Sequence, residues 1–342
     1  MIILSRNNGS GLATITNSPL LSDSNGITKS IKELPSTSDT IIIVGEGYGE
    51  HVNSLTNTHA VFGSSSWTDK VNLSVKKKIE LAIELGLKIP EYKIIDKGVD
   101  LFLSDNPDWE RLSDNVAVRP EHGMTLCAEG FYERGEFSNF FVKIYGKKLL
   151  YGEAGPDMGI SLFSTFTQPN IITRDIFDKL AGIISEEARE YRGPVTIETV
   201  SFPSSESGRY SIYRNIHFGY DPLFEMSKVG LCGPGIITGS VVIPKGYCSG
   251  VVLFDPLLSN TYIKGFDNKW TIPIDCVKTT DGIVSSGLIA GLGIGIGENI
   301  HSSFENAYEF IRKITSRHLC YRPDGAKMCV SWWKNAKNVG II

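Results

Sequence analysis

Two stretches decide how the chain is read: Glu129-Gly-Phe-Tyr-Glu-Arg-Gly-Glu-Phe-Ser-Asn-Phe-Phe141, and a short way on Glu153-Ala-Gly-Pro-Asp-Met-Gly159. Between them Phe140-Phe-Val-Lys-Ile-Tyr-Gly-Lys-Lys-Leu-Leu-Tyr151 holds two β-rich runs parted by Gly146 and Lys147, which predicts a hairpin turning there. A second hairpin is predicted from Val195-Thr-Ile-Glu-Thr-Val200, a turn over residues 203–208, and Tyr210-Ser-Ile-Tyr213. Residues 174–191 separate the two and set Ile176, Phe177, Leu180, Ile183 and Ile184 on one face of an amphipathic helix. Two antiparallel hairpins with a helix between them make the middle of the chain α+β.

Upstream the alternation is of another kind. Thr40-Ile-Ile-Ile-Val-Gly45 is an apolar, β-branched run ending in glycine, the pattern of a buried parallel strand, and His59-Ala-Val-Phe-Gly63 is another. Residues 69–87 carry Val71, Val75, Ile79, Ala82, Ile83 and Leu87 at the spacing of one helix, closed by Gly86 and Pro90. Residues 1–39, rich in Ser, Thr, Asn and Gly, read either as a loose tail or as a first βα unit. In the second case Met1-Ile-Ile-Leu4 is the strand, Asn7-Asn-Gly-Ser-Gly11 the turn and residues 12–21 the helix. Strand, glycine turn and helix in alternation predict a small doubly wound α/β domain over 1–93, with ligands beyond the carboxyl ends of its strands. A middle domain over 94–235 and a strand-and-helix domain over 236–342 complete the expected layout. In the last, Gly291-Leu-Gly-Ile-Gly-Ile-Gly297 reads as strand and turn rather than as a phosphate loop, and residues 302–317 as a helix with Phe304, Ala307, Tyr308 and Ile311 inward.

Composition bounds the function. The 342 residues are 41% hydrophobic and 21% charged, enough for two or three compact domains. A formal charge of −4 gives no basic excess, which argues against a dedicated nucleic-acid binder. No apolar run approaches the ~20 residues of a membrane span, and the start turns polar after three apolar residues, so a cytoplasmic protein is expected. Six cysteines without a C-x-x-C pair read as reduced structural thiols, not as a zinc ribbon or a disulfide scaffold.

Taken in order, these segments resemble glycinamide ribonucleotide synthetase (phosphoribosylamine–glycine ligase) of the ATP-grasp superfamily. The acidic residues 129–136 match its adenine-hinge "EEFLDGEE", and residues 153–159 its "DTGPNTGGMG" substrate loop. Asn8-Gly-Ser-Gly11, Val44-Gly-Glu-Gly47, Val61-Phe-Gly63 and Lys88-Ile-Pro-Glu-Tyr92 follow the family's N-terminal motifs, and Cys320-Tyr-Arg-Pro-Asp-Gly325 its closing "YRxDIG". The resemblance implies ATP and magnesium as cofactors, a nucleotide or ribosyl phosphate as substrate with an amino acid as a further candidate, and ligation through an acyl phosphate. It implies Arg119, Glu129 and Glu136 on ATP, Arg119 and Asp221 in catalysis, Glu198 and Asn215 on the metal. Asn8, Gly9, Gly11, Gly155, Pro156, Asp157 and Gly159 would hold the substrate.

The chain departs from the family in two places. Ile212-Tyr-Arg-Asn-Ile-His-Phe-Gly-Tyr-Asp-Pro222 stands against "IEFNARFGDPE", so that Tyr213 takes the place of a metal glutamate. Only residues 120–128 separate Arg119, which stands where a phosphate lysine is expected, from the hinge, too few for a multi-stranded lid. His122 in that gap reads as a structural or surface residue rather than a catalytic one. Glu198 itself reads either as a metal acid or as a solvent-facing strand residue. Two functions remain: an ATP-dependent carboxylate–amine ligase, or a ligase-fold protein that binds a nucleotide or ribosyl phosphate without catalysis.

Overall fold

The structure is a computed structural model, and it describes residues 2–4, 27–28, 40–95, 99–113, 116–119, 124–167, 171–202, 210–240, 246–258, 261–266 and 269–338. The glycine turn and helix expected over residues 7–21, and His122, lie outside them.

Strands β1 (Ile2–Leu4), β2 (Ile27–Thr28), β3 (Thr40–Ile43) and β4 (Ala60–Phe62) form a parallel sheet in the order β2-β1-β3-β4. The isoleucines of β3 are buried on both faces. Ile41 and Ile43 pack with Val52 and Leu55 of α1 (Gly49–Leu55), while Ile42 and Phe62 enter the main core beside Phe131 and Tyr220. The turn after β3 is clamped from a distance: Asp69 accepts the N–H groups of Gly47 and Gly49, both at 2.8 Å.

The single helix expected over 69–87 is two, α2 (Ser66–Asn72) and α3 (Val75–Glu84). Ser74 is extended and its hydroxyl accepts the Lys77 N–H, so a new N-cap interrupts the apolar stripe. Then β5 (Tyr92–Ile94), α4 (Val99–Asp105), β6 (Glu110–Ser113) and β7 (Val116–Val118) form a small unit whose sheet runs β5-β7-β6. The next described strand is β8 (Met124–Glu133).

The body of the molecule is an eight-stranded antiparallel sheet, β12-β11-β8-β9-β10-β13-β18-β15. Its strands are β8, β9 (Glu136–Leu150), β10 (Ala154–Phe166), β11 (Gly193–Phe202), β12 (Tyr210–Phe218), β13 (Tyr247–Phe254), β15 (Thr271–Pro273) and β18 (Ile289–Gly297). β14 (Tyr262–Ile263), β17 (Gly282–Ser285) and β16 (Cys276–Thr279) make a small side sheet. Strands from both sides of residue 236 share the large sheet.

The expected hairpin at Gly146 is absent, because β9 continues straight through it. A side chain at Gly146 would overlap Glu153 and the buried Arg322, so the glycine marks a close approach rather than a turn. The reversal lies earlier, at Arg134 and Gly135, both at positive φ (53° and 93°) as a two-residue hairpin turn requires.

One face of the sheet is covered by α5 (Ile171–Glu187), α7 (Ile300–Ile311) and α8 (Gly325–Asn338), the other by α6 (Pro222–Cys232). Phe177, Leu180 and Ile184 of α5 are fully buried, each such side chain contributing about 1.5–3 kcal/mol. The glycine run is strand, as expected, and its alternation has a use. Side chains at Gly293, Gly295 or Gly297 would overlap α7, so the bare backbone lets that helix lie directly on β18.

Candidate functional site

On the α6 side of the sheet, strand alternation collects polar residues that the opposite face excludes. Glu198 of β11 lies opposite Asn215 of β12 and Cys127 of β8, and Thr196 lies opposite His217. With Tyr145 and Lys147 of β9 they floor a cleft of about 440 Å³, walled by Gly159 and Ile160 of β10 and by Asp221 and Phe224 at the start of α6. Asp221 caps that helix, its carboxylate accepting the Leu223 N–H at 3.2 Å.

Cations occupy the carboxylate of this cleft. Glu198 Oε1 receives Lys147 Nζ at 3.1 Å and Arg214 Nε at 3.0 Å, and Lys78 of α3 donates to Asn215 Oδ1 at 3.1 Å. Burial lowers the pKa of Lys78, with Glu46 and Glu198 opposing. Arg214 reaches Glu198 because the β11–β12 register shifts there: Glu198 pairs with Asn215 but Thr199 with Tyr213, leaving Arg214 as the extra, bulged residue. Tyr213 is thereby turned out of the cleft. It is 4% exposed in the core beneath α5, and its hydroxyl accepts the Ile216 N–H at 3.1 Å. The expectation that Tyr213 takes the place of a metal glutamate is corrected accordingly: Arg214 faces the carboxylate.

Beneath the cleft lies a closed set of charges. Glu129, 2% exposed, is bonded to Lys143 and Lys228, and accepts the Thr196 hydroxyl at 3.0 Å; Lys228 also pairs with Glu225 at 2.7 Å. Burial would raise the pKa of Glu129, but the two lysines outweigh it and hold it down at about 2. Glu225 has the same burial and less compensation, and is pushed up to about 7. His217 is pulled down to about 4 by burial and by Lys78 and Lys143, so its ring is neutral at pH 7.

These two shifts oppose each other in pH. Between about 4.5 and 7 the folded chain holds a proton on Glu225 that the unfolded chain has released, so this group's contribution to stability falls as pH rises. Between about 4 and 6.5 the unfolded chain holds a proton on His217 that the folded chain refuses, so that contribution rises with pH. His217→Gln removes only the second. Relative to wild type, the variant is expected to gain about 1–2 kcal/mol on going from pH 7 to pH 5, measured by urea unfolding; parallel pH curves for the two proteins would count against it.

Of the residues expected at the site, Glu198, Asn215, Asp221 and Gly159 line this one cleft. Arg119 does not join them: it is exposed at the end of β7, paired with Glu91 at 3.4 Å and Asp108 at 3.7 Å. Glu136 is exposed at the β8–β9 turn, and Glu129 is sealed beneath the floor. Gly155, Pro156 and Asp157 form no free loop but begin β10, where two register shifts bend the strand and Gly155 backs onto Leu150. Asn8, Gly9 and Gly11 lie outside the described residues. Lys78, Lys147 and Arg214 were missed. Lys147 was hidden in a misread turn, and a strand bulge leaves no mark in the residue pattern that would single out Arg214.

No family model matches the chain, and no curated protein sequence does. Solved structures do. The crystal structure of phosphoribosylamine–glycine ligase from Thermotoga maritima superposes with a TM-score of 0.75 at 15% identity, over 95% of this chain and 100% of that one. The fold is ATP-grasp-like. N5-carboxyaminoimidazole synthase from Aspergillus clavatus, in complex with ADP and 5-aminoimidazole ribonucleotide, matches at a TM-score of 0.57 and 7% identity over 91% and 98%. A biotin carboxylase–ATP-analogue complex from Campylobacter jejuni matches at 0.57 and 9% over 99% and 96%.

The magnesium implied by the family resemblance would take one or two protein oxygen ligands together with the nucleotide's phosphates. Among the described residues no group of three or more His, Cys, Asp or Glu side chains is placed to hold a metal ion. The two candidate ligands are also already taken, Glu198 by Lys147 and Arg214, Asn215 by Lys78. The side chains as arranged do not fit a divalent cation. Among the described residues, no helix is long and apolar enough to cross a membrane.

Proposed function

We propose that the cleft is a nucleotide site and that the protein is a phosphoribosylamine–glycine ligase-like enzyme, joining a carboxylate to an amine with ATP. The observation that carries this reading is the convergence of Glu198, Asn215, Asp221 and Gly159, from four separate elements, on one cleft of an ATP-grasp fold. In the reaction, a carboxylate oxygen attacks the γ-phosphorus and ADP leaves; the amine then attacks the acyl carbon and phosphate leaves. Lys147 and Arg214 would meet the phosphate oxygens, Arg214 with the planar fork that suits them. Asp221, at the start of α6, also lines the cleft and would take the amine's proton.

A second reading is favoured by two features: the unit at β5–β7 is small for a lid that excludes water from an acyl phosphate, and Glu198 is neutralised. In that reading the protein binds a nucleotide or ribosyl phosphate without turnover. Incubation with ATP, glycine and phosphoribosylamine, followed by phosphorus NMR, separates them. ADP and phosphate appearing only when acid and amine are both present supports the ligase. ATP binding without turnover supports the second reading, and absence of binding contradicts both.

A further inference from the structure

We infer that Lys147, which lines the cleft, and Arg214 and Lys78, which reach its Glu198 and Asn215 from beside it, act where a divalent ion would, so that the cleft takes the phosphates of its ligand without a metal. The inference rests on the reading of the cleft as a nucleotide site. Three cations from three elements meet at the two oxygen-bearing side chains, Glu198 and Asn215: one from β9, one from the β12 bulge, one from α3. The bulge is the deciding feature. One extra residue in β12 turns Tyr213 into the core and aims Arg214 at the carboxylate, which makes the cationic arrangement part of the backbone's course. Glu198 is 12% exposed and Lys147 19%, whereas Arg214 is 37% exposed, so of these three groups the guanidinium is the most open to an entering phosphate. Glu198 then serves as an internal counterion: it holds the two cations in place in the empty cleft and competes with phosphate for them.

That competition gives a sign which a metal site does not share. A carboxylate that ligates magnesium strengthens nucleotide binding, so its loss weakens binding. A carboxylate that competes with phosphate for cations weakens binding, so its loss strengthens it. The test is calorimetric titration of the full chain with ATP, once in EDTA and once with excess magnesium. Wild type is expected to bind ATP in EDTA within about threefold of its affinity in magnesium, Glu198→Gln to bind ATP in EDTA at least threefold more tightly than wild type, and the pair Lys147→Met with Arg214→Met to lose at least tenfold. Arg214→Lys, which keeps the charge, retains most of the affinity and guards against a merely structural loss in the pair. Binding that needs magnesium, or Glu198→Gln that weakens it, overturns the inference while leaving the nucleotide reading standing. No ATP binding under either condition overturns both.

Discussion

Lys228→Met is expected to lower folding stability by about 3–5 kcal/mol, because removing one member of a buried ion set leaves its partners uncompensated. Lys228 is 3% exposed and joins Glu129 of β8 to Glu225 of its own helix, so it ties α6 to the sheet directly under the cleft. After substitution, Glu129 keeps Lys143, but Glu225 loses its cation. Glu225, already raised to about 7, then takes a proton at still higher pH. The loss is therefore expected to be larger at pH 8 than at pH 6, because the protonated acid needs no partner. Urea unfolding at both values measures it. A change below about 1 kcal/mol, or a larger loss at pH 6, would show that the set does not hold α6 down.

Arg322→Met is expected to cost a similar ~3–5 kcal/mol by the same mechanism. Arg322 has no exposed surface; it pairs bidentately with Asp324 at 2.9 and 2.8 Å, bonds Glu153, and donates to the Lys148 carbonyl at 3.2 Å. Asp324 in turn accepts the Gly152 N–H at 3.0 Å. The closing Tyr-Arg-Pro-Asp segment thus clasps the β9–β10 turn, where Glu153 is held at positive φ (59°). Hydrogen exchange is expected to rise first at Gly152, whose N–H Asp324 accepts, and at Lys147, whose N–H Glu153 accepts; protection unchanged there would count against the clasp.

Periodicity exposed the strands whose burial is one-sided or complete, which is why β3, β4, β11 and the glycine strand β18 were readable. It failed wherever a residue type had two physical uses. Gly146 was read as a turn, yet it is a strand residue cleared for Arg322, a partner far away in sequence. Ser74 was read as one position of a helix, yet it caps a new one. Helix α8 escaped notice because only a few of its side chains, Met328, Cys329 and Ala336 among them, are buried. Glu198, Asn215 and Asp221, which line the cleft, were named from the resemblance to a ligase pattern. The cations that surround them were not, since Lys78, Lys147 and Arg214 meet only after α3, β9 and the bulge are folded together.

A crystal structure of the protein grown with ATP and EDTA tests the central claim most directly. The account predicts triphosphate density in the cleft with phosphate oxygens within hydrogen-bond distance of Arg214 and Lys147, both released from Glu198. Triphosphate bound elsewhere, or bound with the Glu198 pairs intact, would contradict it.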